Sequence, residues 1–529
     1  MLERTFDVKI NDYLYRGRQV YGTPDSPSLP NQIADDVLAV IGLSNIAKPK
    51  PMLVVGPTTA STSAPVGYSP QQIATAYNWP DINNTANGNG TTIAVFAAQD
   101  AGLLSSDYLS FWNYYGLPSH SVTISDPQGL PGDNCVLCEQ EATLDIERSG
   151  AMAPGADIIV YEAPEDTIPD FTEMFQTIAS DRAAQTVDIS YAATESSLSI
   201  GDLQTEDGYF QQMAAEGMAV FVADGDGGSP NCQLSSCDTT VNVPVYPASD
   251  PYVVAAGGTT LTLNSDNTIA NETTWSYVPY SDFDGEYLGT GGAISNVTIN
   301  GTLFWPEPSW QSGNSVPQNG YRNSSDISLD ADPGTGYSLY VGAWTSGGGT
   351  SFVAPQLAGL FAVQASLASA PLGQANSAIY TDANSSNYSA DFHDITSGNN
   401  GAFSAGVGWD HPTGWGSVNA VNLLTHIEGS STLSPPTNLS AEYTQCVNNR
   451  DKYFISWQAG PVGNTTAYDA EYEYGAGGWT VFKYGATPSA NLTLLPNESI
   501  GIRVRATNGS IWSSFTSIDF TSSPCVPPP

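Results

Sequence analysis

Basic residues are scarce in this chain of 529 residues, which has 14 lysines and arginines against 53 aspartates and glutamates and a formal net charge of -39 at pH 7. Nucleic-acid binding depends on basic surfaces that neutralise phosphates, so the deficit excludes that class of protein. The acidity favours a protein that works in acid, where carboxylates with ordinary pKa values near ~4 take up protons and their mutual repulsion falls. Solubility is the simpler explanation of the same composition.

Long apolar runs are also missing, as is a recognisable signal peptide. No stretch approaches the ~18 apolar residues of a membrane-spanning helix. Met1 is followed by the polar sequence LERTFDVKI, which does not have the pattern of a signal peptide. We therefore expect no membrane span, and a chain that either starts downstream of an export signal or is exported by another route.

Cysteines are few, but their number and spacing suit disulfides in an oxidising compartment, because there are six of them and two pairs are close in sequence. The favoured pairing has two local bridges and one across the C-terminal region: Cys135–Cys138, Cys232–Cys237 and Cys446–Cys525. Exchange of partners among the first four stays open. A zinc site built from CVLC and CQLSSC fits the composition badly, since zinc needs thiolates and acid protonates them.

Three regions of the chain differ in pattern. Residues 1–65 hold six of the 14 basic residues and run into AKPKPMLVVGPTTASTSAPVG, a linker without a helical or strand period. Residues 66–430 alternate Val- and Ile-rich runs such as TTIAVFAAQD, GADIIVYEA, TVDISYAA and MAVFVADGDGG with helical patterns such as TEMFQTIASDRAA and EDGYFQQMAAEG. This alternation predicts an α/β domain with a parallel sheet, whose functional groups lie at the C-terminal ends of the strands.

Residues 434–529 form the third region. KYFISWQA, AYDAEYEYG, WTVFKYG and SIGIRVRATNG alternate apolar and polar residues between Gly and Asn turns. This pattern predicts an all-β sandwich of fibronectin type III size. Its aromatic residues, Trp457 and Trp479 among them, leave open a carbohydrate-binding wall protein as the function of the chain.

The stretch TSGGGTSFVAP, residues 345–355, has the form of a serine nucleophile loop. Glycines before Ser351 let a substrate approach the backbone, and the start of a helix favours negative charge there. The plain alternative is that Thr350 or Ser351 only caps the helix. A nucleophilic serine needs a base, and none of the four histidines lies in a run such as H-G-T-H: His120, His393, His411, His426.

Carboxylates are the remaining candidates for the base. Glu141 and Asp145, in CEQEATLDIERSG, are four residues apart and share a face of a predicted helix. Pointing inward, one could act as base while the other orients it by sharing a proton; a solvated acidic face is the plain alternative. Asp226 follows the run MAVFVAD in GDGG and, when protonated, could donate to a developing oxyanion, although an Asp-Gly turn would explain it equally simply.

Together, GTSFVAP, EATLD and GDGG, with the linking stretches YPASDPYVVAAGGTTL, PSWQ and SDISLDADPGTGY, resemble the sedolisins, which are serine-carboxyl peptidases with a subtilisin-like fold. The resemblance covers about residues 68–425. It implies that Ser351 is the nucleophile, Glu141 its general base, Asp145 the residue that supports Glu141, and Asp226 the oxyanion acid. It further implies a secreted enzyme of an acidic extracellular environment that cleaves proteins or peptides through an acyl-enzyme, as an endopeptidase or a tripeptidyl-peptidase.

A calcium site is also implied by the resemblance, in HDITSGNNGAFSAGVGWDHPTGWG. The carboxylates of Asp394 and Asp410 and the backbone carbonyls of Ile395, Gly406 and Gly408 would be its ligands. Calcium prefers such hard oxygen donors. A glycine-rich surface loop is the alternative.

The first 65 residues resemble the end of a sedolisin propeptide in FDVKINDYLYRGRQVYG and VLAVIGLSN, which implies a built-in inhibitor whose N-terminal part is missing. We expect acid to weaken the attraction between this basic segment and the acidic domain, and so to expose the linker for self-cleavage between about residues 55 and 70. In IAVFAAQDAG, Ala97 stands where some relatives have an acidic residue that supports the triad.

Two alternatives remain for the α/β region. A true subtilisin would fit the stretches AQDAG and GTS-x-x-x-P, but this chain has no histidine in the setting that a subtilisin requires. A catalytically inactive binding protein would have replaced at least one acidic position of the triad, and all of them are present.

Overall fold

The computed structural model describes residues 2–15, 17–25, 27–30, 37, 39–56, 61, 64–99, 105–129, 135–231, 242–280, 286–299, 302–367, 372–427, 436–447, 449–458, 467–475, 478–507, 513 and 515–524. Within these ranges, none of the helices combines the length and apolar character that a bilayer span requires.

A large sheet of parallel strands forms the centre of the α/β region. Val- and Ile-rich runs are buried on both of its faces, as expected for parallel strands covered by helices. From one edge to the other its strands are Phe392–His393, Ser417–Val418, Ile327–Asp330, Val253–Leu263, Ala219–Ala223, Thr186–Ile189, Thr92–Ala98, Asp157–Ala163 and Val122–Ser125. Ile269–Thr274 pairs antiparallel with Val253–Leu263, and the edge strand Phe392–His393 is also antiparallel. The predicted α/β fold with a parallel sheet is confirmed.

Helices pack against this sheet, among them Val136–Met152, Ile168–Asp181, Ile200–Ala215 and Val353–Leu367. All the helices in the described part of the chain are Leu2–Phe6, Pro70–Ala76, Ser105–Tyr115, Val136–Met152, Ile168–Asp181, Ile200–Ala215, Val353–Leu367, Ala375–Ala383, Tyr388–Asp391 and Ala420–His426. Val136–Met152 and Val353–Leu367 pack against each other in the interior. A Cβ on Gly359 would lie 2.9 Å from the carbonyl oxygen of Ser149, so glycine is what permits this close approach.

The segment around residues 50–56 differs from the prediction of a linker without strands. Lys50–Pro51 pairs antiparallel with Tyr191–Thr194, and Val54–Val55 pairs antiparallel with Ala343–Gly348. Each small sheet gains a third strand from this segment. The apolar run PMLVV explains the difference: it is too short to show a period, yet Met52 is almost fully buried.

The remaining short strands of the α/β region form hairpins or complete the two small sheets. They are Asn11–Tyr15, Arg18–Gly22, Val245–Tyr246, Val278–Tyr280, Glu286–Leu288, Thr298–Ile299, Thr302–Leu303 and Tyr337–Val341.

The C-terminal region is an all-β sandwich, as predicted. One sheet contains Thr437–Val447, Arg450–Gln458 and Ser489–Leu494, and the other contains Thr480–Gly485, Ala467–Tyr474, Ser499–Thr507 and Thr516–Thr521. Trp457 is buried in the core between them, so it is not on a sugar-binding surface.

One predicted disulfide, Cys135–Cys138, is confirmed. Cys446 is also disulfide-bonded. Its proposed partner Cys525, and the pair Cys232–Cys237, lie outside the described residues.

Candidate active site

Ser351 lies where a strand passes into a helix. The strand Ala343–Gly348 leads through Gly349 into a short 3-10 turn, Thr350–Phe352, and then into the helix Val353–Leu367. Ser351 is fully buried, and its Oγ is 3.4 Å from the carbonyl oxygen of Ser190. The sequence correctly indicated the start of a helix at this serine.

Glu141 and Asp145 lie one turn apart on the helix Val136–Met152, and both are fully buried. The interpretation as a solvated acidic face is therefore wrong. The Ser190 hydroxyl donates a 3.0 Å hydrogen bond to Oδ1 of Asp145. Both oxygens of Glu141 lack a closed hydrogen bond, yet the Ser351 hydroxyl is near enough to lower the pKa of Glu141. Rotation of the Ser351 hydroxyl away from the Ser190 carbonyl oxygen would let it donate to Glu141.

The electrostatics of this pair are dominated by burial. Burial raises the pKa of Glu141 well above its ordinary value, and the charges of Asp188 and Asp226 raise it further. Burial, followed by the charges of Asp188 and Glu141, raises the pKa of Asp145 in the same way. The carboxyls therefore keep protons to higher pH than free side chains do, and they can share them.

Asp226 follows the strand Ala219–Ala223, which is adjacent in the sheet to Thr186–Ile189. Its Oδ1 accepts hydrogen bonds from the backbone N–H of Thr350 at 2.7 Å and from the Thr350 hydroxyl at 2.9 Å. Its Oδ2 is buried without a partner. Burial raises the pKa of Asp226 to about 7, so below that pH the side chain carries a proton that it can donate.

Gly349 holds these groups together. It has φ +104°, and a Cβ at this position would lie 2.6 Å from Oδ2 of Asp226 and in contact with the carbonyl oxygen of Met52. Both oxygens therefore lie beside the same point of the nucleophile loop. Any side chain here would be strained and would separate them.

Met52 occupies the space in front of Ser351. Its N–H donates to the carbonyl oxygen of Ser190 at 2.9 Å, and its own carbonyl oxygen accepts from the N–H of Ser351 at 3.0 Å. The strands Lys50–Pro51 and Val54–Val55 continue the segment in opposite directions from this point. An extended chain thus crosses the nucleophile at Met52.

All four histidines are held elsewhere in the described structure. His120 contacts the carbonyl oxygen of Ala156, His393 pairs with Glu272, His411 contacts Asn323, and His426 pairs with Asp391. None of them lies beside Ser351, so the arrangement of a histidine-dependent subtilisin is not found in this site.

The loop that contains Asp394 and Asp410 brings the proposed calcium ligands together. Gly408 donates its N–H to Asp394 at 3.0 Å, and Gly406 donates its N–H to Oδ2 of Asp410 at 2.8 Å. Ile395 is buried beside them. The carboxylates of Asp394 and Asp410 are hard oxygen donors of the kind that calcium prefers, and their oxygens accept hydrogen bonds from the N–H groups of Gly408, Gly406 and Thr413.

A second acidic group lies near this loop. Asp382, Asp391 and His426 place potential ligand atoms within 4.8 Å of one another. Nδ1 of His426 is 2.6 Å from Oδ2 of Asp391, and Asn387 donates to Asp382 at 3.0 Å. These contacts already use ligand atoms that a metal would need.

Comparisons with known proteins agree with this geometry. No protein-family model matches the chain. Sedolisin of Pseudomonas sp. (strain 101) is 30% identical over 446 residues, which span 81% of this chain and 73% of that protein. The chain belongs to the sedolisin family. Kumamolisin of Bacillus sp. (strain MN-32) is 32% identical over 433 residues, 77% of this chain and 73% of that protein.

A solved sedolisin structure shows the same fold. Pseudomonas sedolisin, a serine-carboxyl proteinase complexed with two molecules of pseudo-iodotyrostatin, matches with a TM-score of 0.61 and 31% sequence identity, covering 71% of this chain and 100% of that chain. Human tripeptidyl-peptidase 1 is 26% identical over 453 residues. As a sedolisin-family member, the chain is a serine-type peptidase, a hydrolase whose substrates are peptides or proteins.

Asp188 was missed by the sequence analysis. It lies in the strand Thr186–Ile189, is fully buried, and contributes to the pKa values of both Glu141 and Asp145. The available signal was an aspartate in the middle of the otherwise apolar run TVDIS.

Proposed function

We propose that this sedolisin-family chain is an acid-active, secreted serine-carboxyl peptidase with Ser351 as nucleophile, Glu141 as general base, Asp145 as the support of Glu141, and Asp226 as the oxyanion acid. The supporting geometry is the burial of Ser351 together with three carboxyls, those of Glu141, Asp145 and Asp226. A subtilisin mechanism has no histidine here. An inactive binding protein would not need this arrangement of buried, partly unpaired carboxyls.

The observation that carries the proposal is the extended segment at residues 50–56. It is bound as a peptide substrate would be, by antiparallel backbone pairing on both sides of the nucleophile. The N–H of Ser351 donates to the Met52 carbonyl oxygen at 3.0 Å. The unpartnered Oδ2 of Asp226 is beside the same carbonyl. Such donors, aimed at one carbonyl, are what acyl transfer requires.

The chemistry follows from these positions. Oγ of Ser351 adds to the carbonyl carbon of the substrate and passes its proton to Glu141. The carbonyl oxygen takes the negative charge between the Ser351 N–H and protonated Asp226. Collapse of this intermediate breaks the peptide bond, and the leaving amine receives the proton from Glu141. Water then attacks the acyl-enzyme ester, gives a proton to Glu141, and releases the acid while Ser351 recovers its proton.

The pH dependence has two sources. Ionised Asp226 cannot donate, so activity falls as the pH rises through about 7, the value to which burial raises its pKa. At low pH the base becomes fully protonated and activity falls again. We expect an optimum between about pH 3 and 5, with each limb controlled by carboxyls.

Self-cleavage is the sharpest test of this function. The geometry favours the Met52–Leu53 peptide bond, which lies slightly before the range of 55–70 suggested by the linker composition. Acidifying the purified chain from pH 7 to pH 3 should produce a new N-terminus at Leu53, determined by N-terminal sequencing. The Ser351→Ala variant should stay uncut. Equal cutting of this variant, or a first cut far from the cleft, would contradict the proposal.

Residues 1–56 then act as an inhibitor, because the strand that fills the cleft belongs to them. Lys48 pairs with Asp166 of the α/β domain at 2.7 Å, which adds a charged contact at the edge of this strand. Acid weakens such pairs as carboxylates take up protons. We expect secretion into an acidic exterior to be the setting in which the segment is removed.

Calcium is the proposed cofactor, held by Asp394 and Asp410 with the carbonyls of Ile395, Gly406 and Gly408. It would fasten the loop to the end of the sheet and supply no step of the chemistry. The sandwich is proposed to be of the fibronectin type III class, since its three and four strands form two facing sheets. It would bind substrate or a surface.

A further inference from the structure

Asp188 is a buried carboxyl that the proposed triad does not use. In the sheet it lies between Val95 of one neighbouring strand and Phe221 of the other. Its exposure is 0%, and neither carboxyl oxygen accepts a closed hydrogen bond in the described structure. Leaving an ionised carboxyl without a partner in such surroundings is strongly unfavourable, so in acid this group is neutral.

The groups that face Asp188 are carboxyls and one hydroxyl. Asp145 and Glu141 approach from the helix Val136–Met152, and Ser190 follows on its own strand. The helix Val353–Leu367 also packs on this strand but has no titratable side chain. The neighbouring strands present Val95 and Phe221. No cation is among the groups that act on Asp188. Negative charge on these carboxyls can therefore be reduced only by bound protons.

Asp145 and Asp188 complete each other's hydrogen bonding if they share a proton. Oδ1 of Asp145 is occupied by the Ser190 hydroxyl at 3.0 Å, whereas Oδ2 is buried without a partner. Burial raises the pKa of Asp188 well above its ordinary value, and the neighbouring side chains of Asp145 and Ser190 lower it in part. A carboxylic acid at this position can donate to Asp145, which leaves the proton of Asp145 for Glu141.

We propose that Asp188 is a positioning residue that extends the chain Ser351–Glu141–Asp145 by one proton-sharing carboxyl and stabilises the anion formed when Glu141 becomes a base. The inference rests on the proposed function of Ser351 and Glu141. Its physical basis is that a buried carboxylic acid loses its proton more easily when neighbouring carboxylic acids can donate hydrogen bonds to the carboxylate that forms. Asp188 itself neither gains nor loses a net proton during turnover.

Two substitutions separate hydrogen bonding from packing. Asp188→Leu removes the donor but suits the apolar neighbours, whereas Asp188→Asn has nearly the same shape and can still donate to Asp145. We expect Asp188→Leu to lower kcat at the optimum roughly tenfold, as for one lost hydrogen bond, and to move the acid limb of the kcat/KM profile upward by about one pH unit. Asp188→Asn should restore most of both properties.

The control is Glu206→Gln, which removes another buried carboxyl of the α/β domain that accepts a hydrogen bond from Thr172 at 2.6 Å. It should leave kcat and the acid limb unchanged. Melting temperatures of all variants establish that they are folded. An unmoved acid limb in Asp188→Leu, or an asparagine variant as impaired as the leucine variant, would overturn the proposal.

The wild-type chain and Ser351→Ala are measured in the same series. Acid peptidase activity that depends on Ser351, combined with an unaffected Asp188→Leu profile, would refute only the role of Asp188. Absence of Ser351-dependent activity would refute the proposed function, and the role of Asp188 with it. If the asparagine variant does not fold, the position of the acid limb in the leucine variant still decides the question.

Discussion

The α/β domain and the C-terminal sandwich both bury carboxyls, but they stabilise them in different ways. In the sandwich, Asp469 accepts from Nε of Arg505 at 3.0 Å, and Glu471 accepts from Nε of Arg503 at 2.6 Å. In the α/β domain, between residues 66 and 430, only three basic residues occur in the sequence: Arg148, Arg182 and Arg322. Most of its buried carboxyls face other acids, hydroxyls and backbone N–H groups.

The difference shows two ways of neutralising a buried carboxylate in one chain. The sandwich uses the positive charge of an arginine, and the α/β domain uses a proton bound to the carboxyl itself. An arginine remains protonated at every relevant pH, so each of the sandwich pairs contains one fixed positive charge. A carboxyl that relies on its own proton is stable only while it holds that proton. The α/β domain has therefore linked its stability, as well as its proposed chemistry, to acidic conditions.

The largest expected effect comes from removing one carboxyl in each region. Asp226→Ala should lower kcat by about 10²–10³-fold, because a donor to the oxyanion is lost. Asp469→Ala, the matched change in the sandwich, should leave kcat unchanged. Steady-state rates on a denatured protein at the optimal pH provide the measurement. Equal losses in the two variants would remove the functional distinction between the regions.

The next effect is on thermal stability. Burial raises the pKa of Glu206 to about 8 and of Asp224 and Asp226 to about 7. Because these folded-state values exceed the unfolded ones, their contribution to stability is complete below about pH 4 and is lost as the pH rises through 7 to 8.

Calorimetry of Ser351→Ala, which should not digest itself, tests this prediction. The transition of the α/β domain should fall by roughly 5–10 °C between pH 4 and pH 8, while that of the sandwich changes less. A transition of the α/β domain that rises over this range would contradict the comparison.

A smaller effect is expected for the arginines of the sandwich. Arg505→Met should destabilise it by about 1–3 kcal/mol at pH 7, because Asp469 is left buried without its partner. The loss should be less at pH 4, since burial raises the pKa of Asp469 to about 6 and acid then neutralises the side chain. Arg450→Met, at an exposed position, is the control. Denaturant unfolding at both pH values gives the free energies.

The smallest expected effect concerns calcium, which would add a divalent cation to the α/β domain. Chelation should lower the melting temperature by a few degrees, since calcium would bind only the folded form. Asp410→Ala should abolish the response. A response that survives in Asp410→Ala but disappears in His426→Ala would assign the metal to the group around Asp391 instead.

Much of the fold could be predicted because its signals are local. Val- and Ile-rich runs indicated the parallel strands, and the alternation in KYFISWQA indicated a strand of the sandwich. The four-residue spacing of Glu141 and Asp145 predicted their shared helical face. Their inward direction depends on packing against Val353–Leu367, which no local pattern contains.

The parts that were missed depend on contacts between distant segments. Met52 lies in a short apolar run of the linker, and its strand conformation is imposed by pairing partners more than a hundred residues away. Asp188 was not singled out in the sequence. Its proximity to Asp145 arises only from the packing of the helix Val136–Met152 on the sheet, which no local pattern contains.

The nucleophile and the strand that fills its cleft belong to one polypeptide. In the proposed self-cleavage the first cut would therefore be a unimolecular event, whose rate does not change when the protein is diluted. Each molecule would contain its own substrate at a high effective concentration, fixed by the pairing of residues 50–56. The delay between acidification and activity would then be a property of the single molecule, and a dilute population would mature as quickly as a concentrated one.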